Sequence, residues 1–191
     1  MRPWTVGYSF SVPLRPLIAF AFALMLGGCA DEGPELPLDE PFIALSRDFE
    51  GFTDWHRFEV AGDAIPTEVE PGPTFVYART LPPPGVARFP VGTILIKTIE
   101  PGDPTAWTIH AMVKRSGTFN PAGAIGWEFL ELALTAERDV VILWRGEGPP
   151  SGHGYGSVGE PSDIPLVCND CHAPAWTNDA VLTPDIRLMP E

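Results

Sequence analysis

The feature that most constrains the fold is a series of six β-like runs separated by short turns rich in proline and glycine. Their β-branched and aromatic residues are typical of strands, and LPPPG at Leu81–Gly85 and EPGDP at Glu100–Pro104 are turn signals. The spacing from each run to the next is short and no strong helix pattern intervenes, so the crossover helices of a parallel sheet have no place in this sequence. We therefore predict one mainly β domain, a single antiparallel sheet or sandwich with a few short helices. The predicted strands are Trp55–Val60, Thr74–Thr80, Gly92–Glu100, Trp107–Lys114, Trp127–Leu134 and Asp139–Arg145.

Residues 1–28 have the pattern of an export signal, because Arg2 and Arg15 precede an apolar run from Leu17 to Leu26. A run of ten residues is shorter than the roughly 20 that a membrane-spanning helix needs. The LGGC that ends at Cys29 resembles a bacterial lipobox, which implies that residues 1–28 are removed and that Cys29 is lipidated. The alternative is an ordinary secretory signal that leaves Cys29 as a free thiol. We expect a lipoprotein on the periplasmic side of a bacterial membrane, and Ala30 after the cysteine slightly favours the outer membrane.

Residues 29–45 are acidic and rich in proline, so they are predicted to be a tether between the lipid and the folded domain, residues 46–191. Removal of residues 1–28 leaves 10 Lys and Arg against 25 Asp and Glu, a net charge of −15. Proteins that bind nucleic acid carry a basic face, so nucleic acid is not an expected partner. Short helices are predicted at Phe42–Asp48 and Ser162–Cys171, and the Gly- and Pro-rich stretch Gly146–Pro165 is predicted to be a loop.

The segment CNDCH, Cys168–His172, carries the chemistry. Two cysteines separated by two residues and followed by histidine are the attachment signature of c-type haem. On a helical turn, Cys168 and Cys171 lie close enough to bind one porphyrin edge, and His172 is then the axial ligand of the iron. The alternatives are a zinc site, which would need four ligands, a thioredoxin-like redox pair, and a small structural disulfide.

The residues that follow the motif indicate the coordination of the iron. Only Met189 comes after CNDCH, close to the C-terminus, whereas an electron-carrying cytochrome c has its methionine ligand many residues after the motif. We therefore expect an open or weakly held sixth position, which favours ligand binding or catalysis. Met112 or Met189 would be the ligand in the alternative of a simple electron-transfer cytochrome.

Lys97 is the unusual residue of the strand GTILIKTIE. Because side chains alternate along a strand, Lys97 shares one face with Leu95 and Ile99 and has apolar neighbours on either side. Such a lysine lies either on a solvated edge strand or with its amine directed at a cofactor. Lys114 ends the next strand, where we expect it to reach water. The histidines in predicted strands, His56 and His110, are interpreted as structural.

Four segments resemble the cytochrome P-460 family and its relatives, the β-sheet cytochromes c-prime: FPVGTILIKTIE, GWEFLEL, ILWRGEG and CNDCHAPAWTNDAVLT. The likeness spans residues 49–183. It implies a small exported β domain, often a homodimer, with one covalent haem c. The resemblance further implies that Cys168 and Cys171 hold the haem, that His172 ligates the iron, and that Lys97 is joined to the porphyrin.

The resemblance also implies an activity. Family members of the lysine-linked type oxidise hydroxylamine at an open iron and pass the electrons to an acceptor protein. A carboxylate is then expected to accept protons, and Glu128 or Glu131 could do so; they lie on opposite faces of their strand, and periodicity does not choose between them. The alternative functions are a non-catalytic binder of NO or CO and a simple electron carrier.

Overall fold

A computed structural model describes residues 40–60, 72–150 and 168–188. These ranges belong to one compact unit, residues 37–191. The predicted signal, Cys29, most of the tether, most of the Gly- and Pro-rich loop, and Met189 lie outside the described residues.

Six strands form one antiparallel sheet in which every strand pairs with its neighbour in sequence. This meander confirms the prediction of a mainly β domain. The described connections between the strands contain no α-helix of the kind that usually links parallel strands. Strand β5 has the predicted bounds, and each of the others differs from them by one or two residues at one end or at both. The strands are β1 (His56–Val60), β2 (Thr74–Ala78), β3 (Ile94–Ile99), β4 (Thr108–Lys114), β5 (Trp127–Leu134) and β6 (Val140–Gly146).

Each face of the sheet carries its own apolar core, so the central strands are buried on both sides. The first core is covered by the segment before β1, which contributes Phe49 and Phe52, and it contains Ile94, Ile96 and Leu130 of the sheet. We call this side the N-terminal face. Burial on both faces explains why β2 and β3 read as nearly continuous apolar runs rather than as alternating ones.

The second core lies on the opposite side, which we call the C-terminal face. The C-terminal segment covers it with Ala180, Val181 and Ile186, and Cys168 packs against it. The sheet contributes residues that alternate with those of the first core, among them Leu95, Met112, Trp127, Phe129 and Trp144. The CNDCH segment therefore lies over the C-terminal face, where it forms the short helix α1 (Cys168–His172).

The predicted helix Ser162–Cys171 lies outside the described residues except for its end, Cys168–Cys171, which belongs to α1. In place of a helix at Phe42–Asp48, two 3-10 turns occur, Ser46–Phe49 and Phe52–Asp54, because Gly51 between them adopts a left-handed φ of 66°. A third 3-10 turn covers Pro104–Ala106, and a 3-10 segment, Ala173–Asn178, follows α1. The described ranges contain no helix with both the length and the apolar character needed to cross a membrane.

Lys114 does not reach water, contrary to the prediction. Its side chain is buried, and its ammonium lies 2.7 Å from Asp179 Oδ2 and donates to the carbonyl of Ile125 at 3.0 Å. Asp179 also accepts the backbone N–H of Phe89 at 2.9 Å. The prediction was wrong because the carboxylate that neutralises Lys114 lies 65 residues away in the sequence. This buried ion pair joins the C-terminal segment to β4.

Candidate functional site

The helix α1 is held against the sheet by the side chain of Asn169, the second residue of CNDCH. Its Oδ1 accepts hydrogen bonds from Asn120 Nδ2 and from the backbone N–H of Ala124, both at 2.9 Å. Its Nδ2 donates to Asn120 Oδ1 and to the carbonyl of Glu147, both at 3.1 Å. A Cβ at Gly123 would lie 2.2 Å from the Asn169 side chain, so only glycine allows this approach. The loop between β4 and β5 therefore fixes the position of α1.

His172 is oriented by the residues that follow it. Its Nδ1 lies 2.8 Å from the carbonyl of Ala180, a position that the chain reaches because Asp179 and Ala180 both adopt left-handed φ values of 50° and 71°. The imidazole ring also packs against Phe129, with ring centroids 5.1 Å apart. Because a carbonyl can only accept, Nδ1 carries the proton and Nε2 is left as the nitrogen with a free lone pair. Burial lowers the pKa of His172, which keeps this ring neutral.

The two thiols lie one helical turn apart on α1, and both are partly buried free cysteines. Burial raises the pKa of Cys168 to about 12, because the thiolate would lose its hydration among the apolar residues of the C-terminal face. Cys168 is therefore a protonated thiol at neutral pH in this fold. It lacks the electropositive surroundings of a redox-active cysteine.

A row of polar residues crosses the sheet beneath α1. Strand pairing places Lys97 of β3 opposite His110 of β4, His110 opposite Glu131 of β5, and Glu131 opposite Trp144 of β6. Trp144 Nε1 donates a hydrogen bond to Glu131 Oε2. A bulge directly after Glu131 shifts the pairing of β5 with β6, as is common beside functional sites. The three ionisable side chains of this row, Lys97, His110 and Glu131, are therefore nearest neighbours across the strands.

Lys97 lies within electrostatic reach of α1. Burial lowers the pKa of its amine to about 8, and the charge of a Cys171 thiolate opposes that shift. In turn, the charge of Lys97 contributes to the lowered pKa of His172. Of the two readings that the sequence left open, a solvated edge strand does not apply, because β3 is a central strand. The amine is partly neutral at pH 8, so it is a potential nucleophile.

The structure separates the two glutamates that periodicity could not distinguish. Glu131 lies on the C-terminal face with α1, in the row that contains Lys97. Glu128 belongs to the other face and is buried there in ion pairs with Arg145 and Arg115. The expectation that Glu128 could act as the proton acceptor is therefore corrected: its carboxylate holds two arginines, and the sheet separates it from α1.

His110 belongs to this row, although the sequence analysis did not place it there. It lies between Lys97 and Glu131, and its interpretation as a structural histidine stays a prediction. Burial lowers its pKa to about 4; the charge of Glu131 opposes this shift and that of Lys97 adds to it. The alternation of side chains along β4 indicated that His110 shares a face with Met112, which is buried. Its position between Lys97 and Glu131 could not be inferred without the pairing of β4 with β3 and β5.

No protein family, no curated protein and no solved structure matches this chain.

Proposed function

We propose that this protein is an exported c-type haem protein in which Cys168 and Cys171 hold the porphyrin and His172 ligates the iron. The observation that carries the proposal is the hydrogen bond from His172 Nδ1 to the Ala180 carbonyl, 2.8 Å long. Histidines that ligate metals commonly donate their second ring nitrogen to a carbonyl or carboxylate, which fixes the ring and the tautomer. The two thiols on the same turn and the apolar C-terminal face beside them fit a covalently attached haem.

The alternative sites receive less support from the structure. A closed zinc site needs four ligands, and no group of three or more His, Cys, Asp and Glu residues arranged to hold a metal ion occurs in residues 40–60, 72–150 and 168–188. Cys168 and Cys171 are free thiols. The strands that the structure describes form no βαβ unit, and the pKa of Cys168 is raised rather than lowered, so a thioredoxin-like pair has little support.

As the function of the site we propose an oxidoreductase that acts on a small nitrogen compound such as hydroxylamine. The haem would supply an iron that binds the substrate and accepts its electrons, which an acceptor protein then removes. The chain supplies a proton acceptor, Glu131, whose carboxylate is held by the indole N–H of Trp144. It also supplies the partly neutral amine of Lys97 near Cys171, and a bond from this amine to the porphyrin would fix both in place.

A second candidate function is the reversible binding of NO or CO without catalysis. It is favoured by the apolar residues that flank the polar row on the C-terminal face, Leu95, Met112 and Phe129. These side chains could crowd a small ligand. The two candidate functions differ in whether Lys97 is bound covalently to the porphyrin, because this cross-link is a feature of the oxidase that the resemblance implies.

Tryptic digestion of the protein, produced together with haem-attachment machinery, tests the choice. Trypsin releases the motif in peptide Gly146–Arg187, because this stretch contains no internal Lys or Arg. If Lys97 is bound to the porphyrin, cleavage after it is blocked, and peptide Phe89–Lys114 stays joined to the haem peptide. Separate peptides that end at Lys97 and at Lys114 would instead favour the gas-binding function.

Turnover of hydroxylamine with an artificial electron acceptor tests the activity. We expect Glu131→Gln to lower kcat on the order of 10²-fold or more, the usual contribution of a general base. Glu59→Gln, on the exposed side of β1, is the matched control and should behave like the wild type. Equal rates in Glu131→Gln and wild type would exclude Glu131 as the proton acceptor.

The remaining parts of the proposal concern location and partners. A lipid on Cys29 would hold the domain at the periplasmic side of a bacterial membrane, and the haem-containing domain could assemble as a homodimer. Cys29 lies outside the described residues, so the support for the anchor is the sequence pattern alone.

A further inference from the structure

Three titratable side chains stand side by side in the middle of the sheet, on the face that α1 covers. Lys97, His110 and Glu131 occupy directly paired positions of β3, β4 and β5. Directly opposed side chains in an antiparallel pair have Cβ atoms about 4.5–5.5 Å apart. The imidazole of His110 is therefore the group between the amine of Lys97 and the carboxylate of Glu131.

We propose that His110 transfers protons between the Lys97 side of the site and Glu131, so that the three residues form a proton-transfer row that leads away from α1. This inference rests on the proposed oxidoreductase function and adds the route by which protons leave. His110 acts through Glu131, so it is a positioning and proton-transfer residue rather than the group that contacts the substrate.

The environment of His110 suits this role. The charges that act on His110 are those of Glu131 from β5 and Lys97 from β3. The same side of the sheet also carries the titratable residues of α1, the Lys114–Asp179 ion pair and, at the end of β1, His56. The low pKa of about 4 keeps the ring neutral near pH 7. A neutral imidazole has one nitrogen that donates and one that accepts, whereas an imidazolium has two donors and cannot accept a proton.

Each passage moves one proton and no electrons. The protonated amine of Lys97 loses a proton to the acceptor nitrogen of His110. The other ring nitrogen releases its proton to the carboxylate of Glu131. One N–H bond breaks at the ammonium, one forms and one breaks at the imidazole, and one O–H bond forms at Glu131. Glu131 is partly exposed and gives the proton to water.

Trp144 completes the row at its solvent side. Its indole N–H donates to Glu131, so the carboxylate is held in one orientation at the end of the row. Lys97 and His110 are half-buried in central strands, where the charged form of each loses hydration. Their placement in one line with a carboxylate, beside the thiols, is the observation that carries the proposal.

The test uses the haem-loaded protein with His110→Gln, which retains hydrogen bonding but cannot carry a proton. Hydroxylamine turnover is measured from pH 5 to 9. We expect kcat to fall on the order of 10²-fold with KM unchanged, and the pH profile to change shape. His56→Gln, on the exposed part of β1, is the matched control and should leave both unchanged. A wild-type kcat and pH profile in His110→Gln would overturn the proposal.

A second measurement needs no substrate. The infrared carboxyl band of Glu131, assigned with Glu131→Gln, is followed against pH in the resting protein. We expect the pH at which this band appears to shift in His110→Gln and to stay constant in His56→Gln; no shift in either would contradict proton sharing. If the wild type does not oxidise hydroxylamine, the proposed function fails while the infrared result still decides the role of His110. Should His110→Gln not fold, His110→Asn serves for both measurements.

Discussion

The buried ion pair between Lys114 and Asp179 gives the sharpest test of how the C-terminal segment is held on the sheet. Both side chains are nearly inaccessible, at 4% and 9% exposure, and their charged groups are 2.7 Å apart. Lys114→Met removes the ammonium and leaves the carboxylate of Asp179 buried, with the hydrogen bond from the backbone N–H of Phe89 but without its countercharge. Breaking a buried pair in this way costs about 3–5 kcal/mol. We expect that loss in the free energy of unfolding.

The second half of the prediction concerns the pair as a unit. Asp179 has a left-handed φ of 50°, which asparagine tolerates, so Asp179→Asn removes the charge without backbone strain. When both charges are removed together, no uncompensated charge remains. The double variant Lys114→Met/Asp179→Asn should therefore be more stable than the sum of the single effects predicts, by at least about 2 kcal/mol.

Urea unfolding followed by tryptophan fluorescence measures these differences, since Trp127 lies 4.9 Å from the Lys114 ammonium. Arg47→Met, which removes an exposed cation, is the matched control and should change stability by less than about 0.5 kcal/mol. A cost below about 1 kcal/mol for Lys114→Met, or strictly additive single effects, would refute the reasoning.

Three further predictions concern α1, the row and the anchor. Asn169→Ala leaves the buried amide of Asn120 without two of its hydrogen bonds and should lower the free energy of unfolding by about 2–3 kcal/mol in urea, whereas the exposed Thr177→Ala should not. Unfolded His110 binds a proton near pH 6.5 but the folded protein binds it only near pH 4, so stability falls as the pH is lowered through this window, by up to about 3 kcal/mol. His110→Gln should therefore lose less stability between pH 7 and 4 than the wild type does, and parallel curves would exclude a neutral buried His110. Cys29→Ala should release the protein from membranes in cell fractionation, and its retention there would exclude the lipid anchor.

The strands could be predicted from the sequence because their signals are local. Alternation and β-branched residues lie within each run, and Pro/Gly turn signals lie between the runs. Because no strong helix pattern intervenes between the predicted strands, the antiparallel meander is the simplest arrangement. The bounds of β5, Trp127–Leu134, came directly from this pattern. Ends that depend on backbone conformation were less accurate: β3 begins at Ile94 rather than at Gly92, where φ is 89°.

The partners of the polar residues could not be predicted, because strand periodicity defines two faces but not what covers each one. Glu128 and Glu131 were equivalent until the structure placed α1 over the face of Glu131. Lys114 was misjudged because Asp179 is distant in sequence, and the contact between Asn169 and Asn120 joins residues 49 positions apart. Lys97 was recognised only because a lysine in an apolar strand is unusual whichever face it takes.

The mass of the tryptic peptide Gly146–Arg187 tests the central claim most directly. The protein is produced with haem-attachment machinery, and the same digest of a Cys168→Ala/Cys171→Ala variant is the control. The account predicts that the wild-type peptide carries the added mass of one haem, whether or not the porphyrin is also joined to Lys97. The variant peptide should lack this mass. A wild-type peptide with the mass of the bare chain would contradict the account.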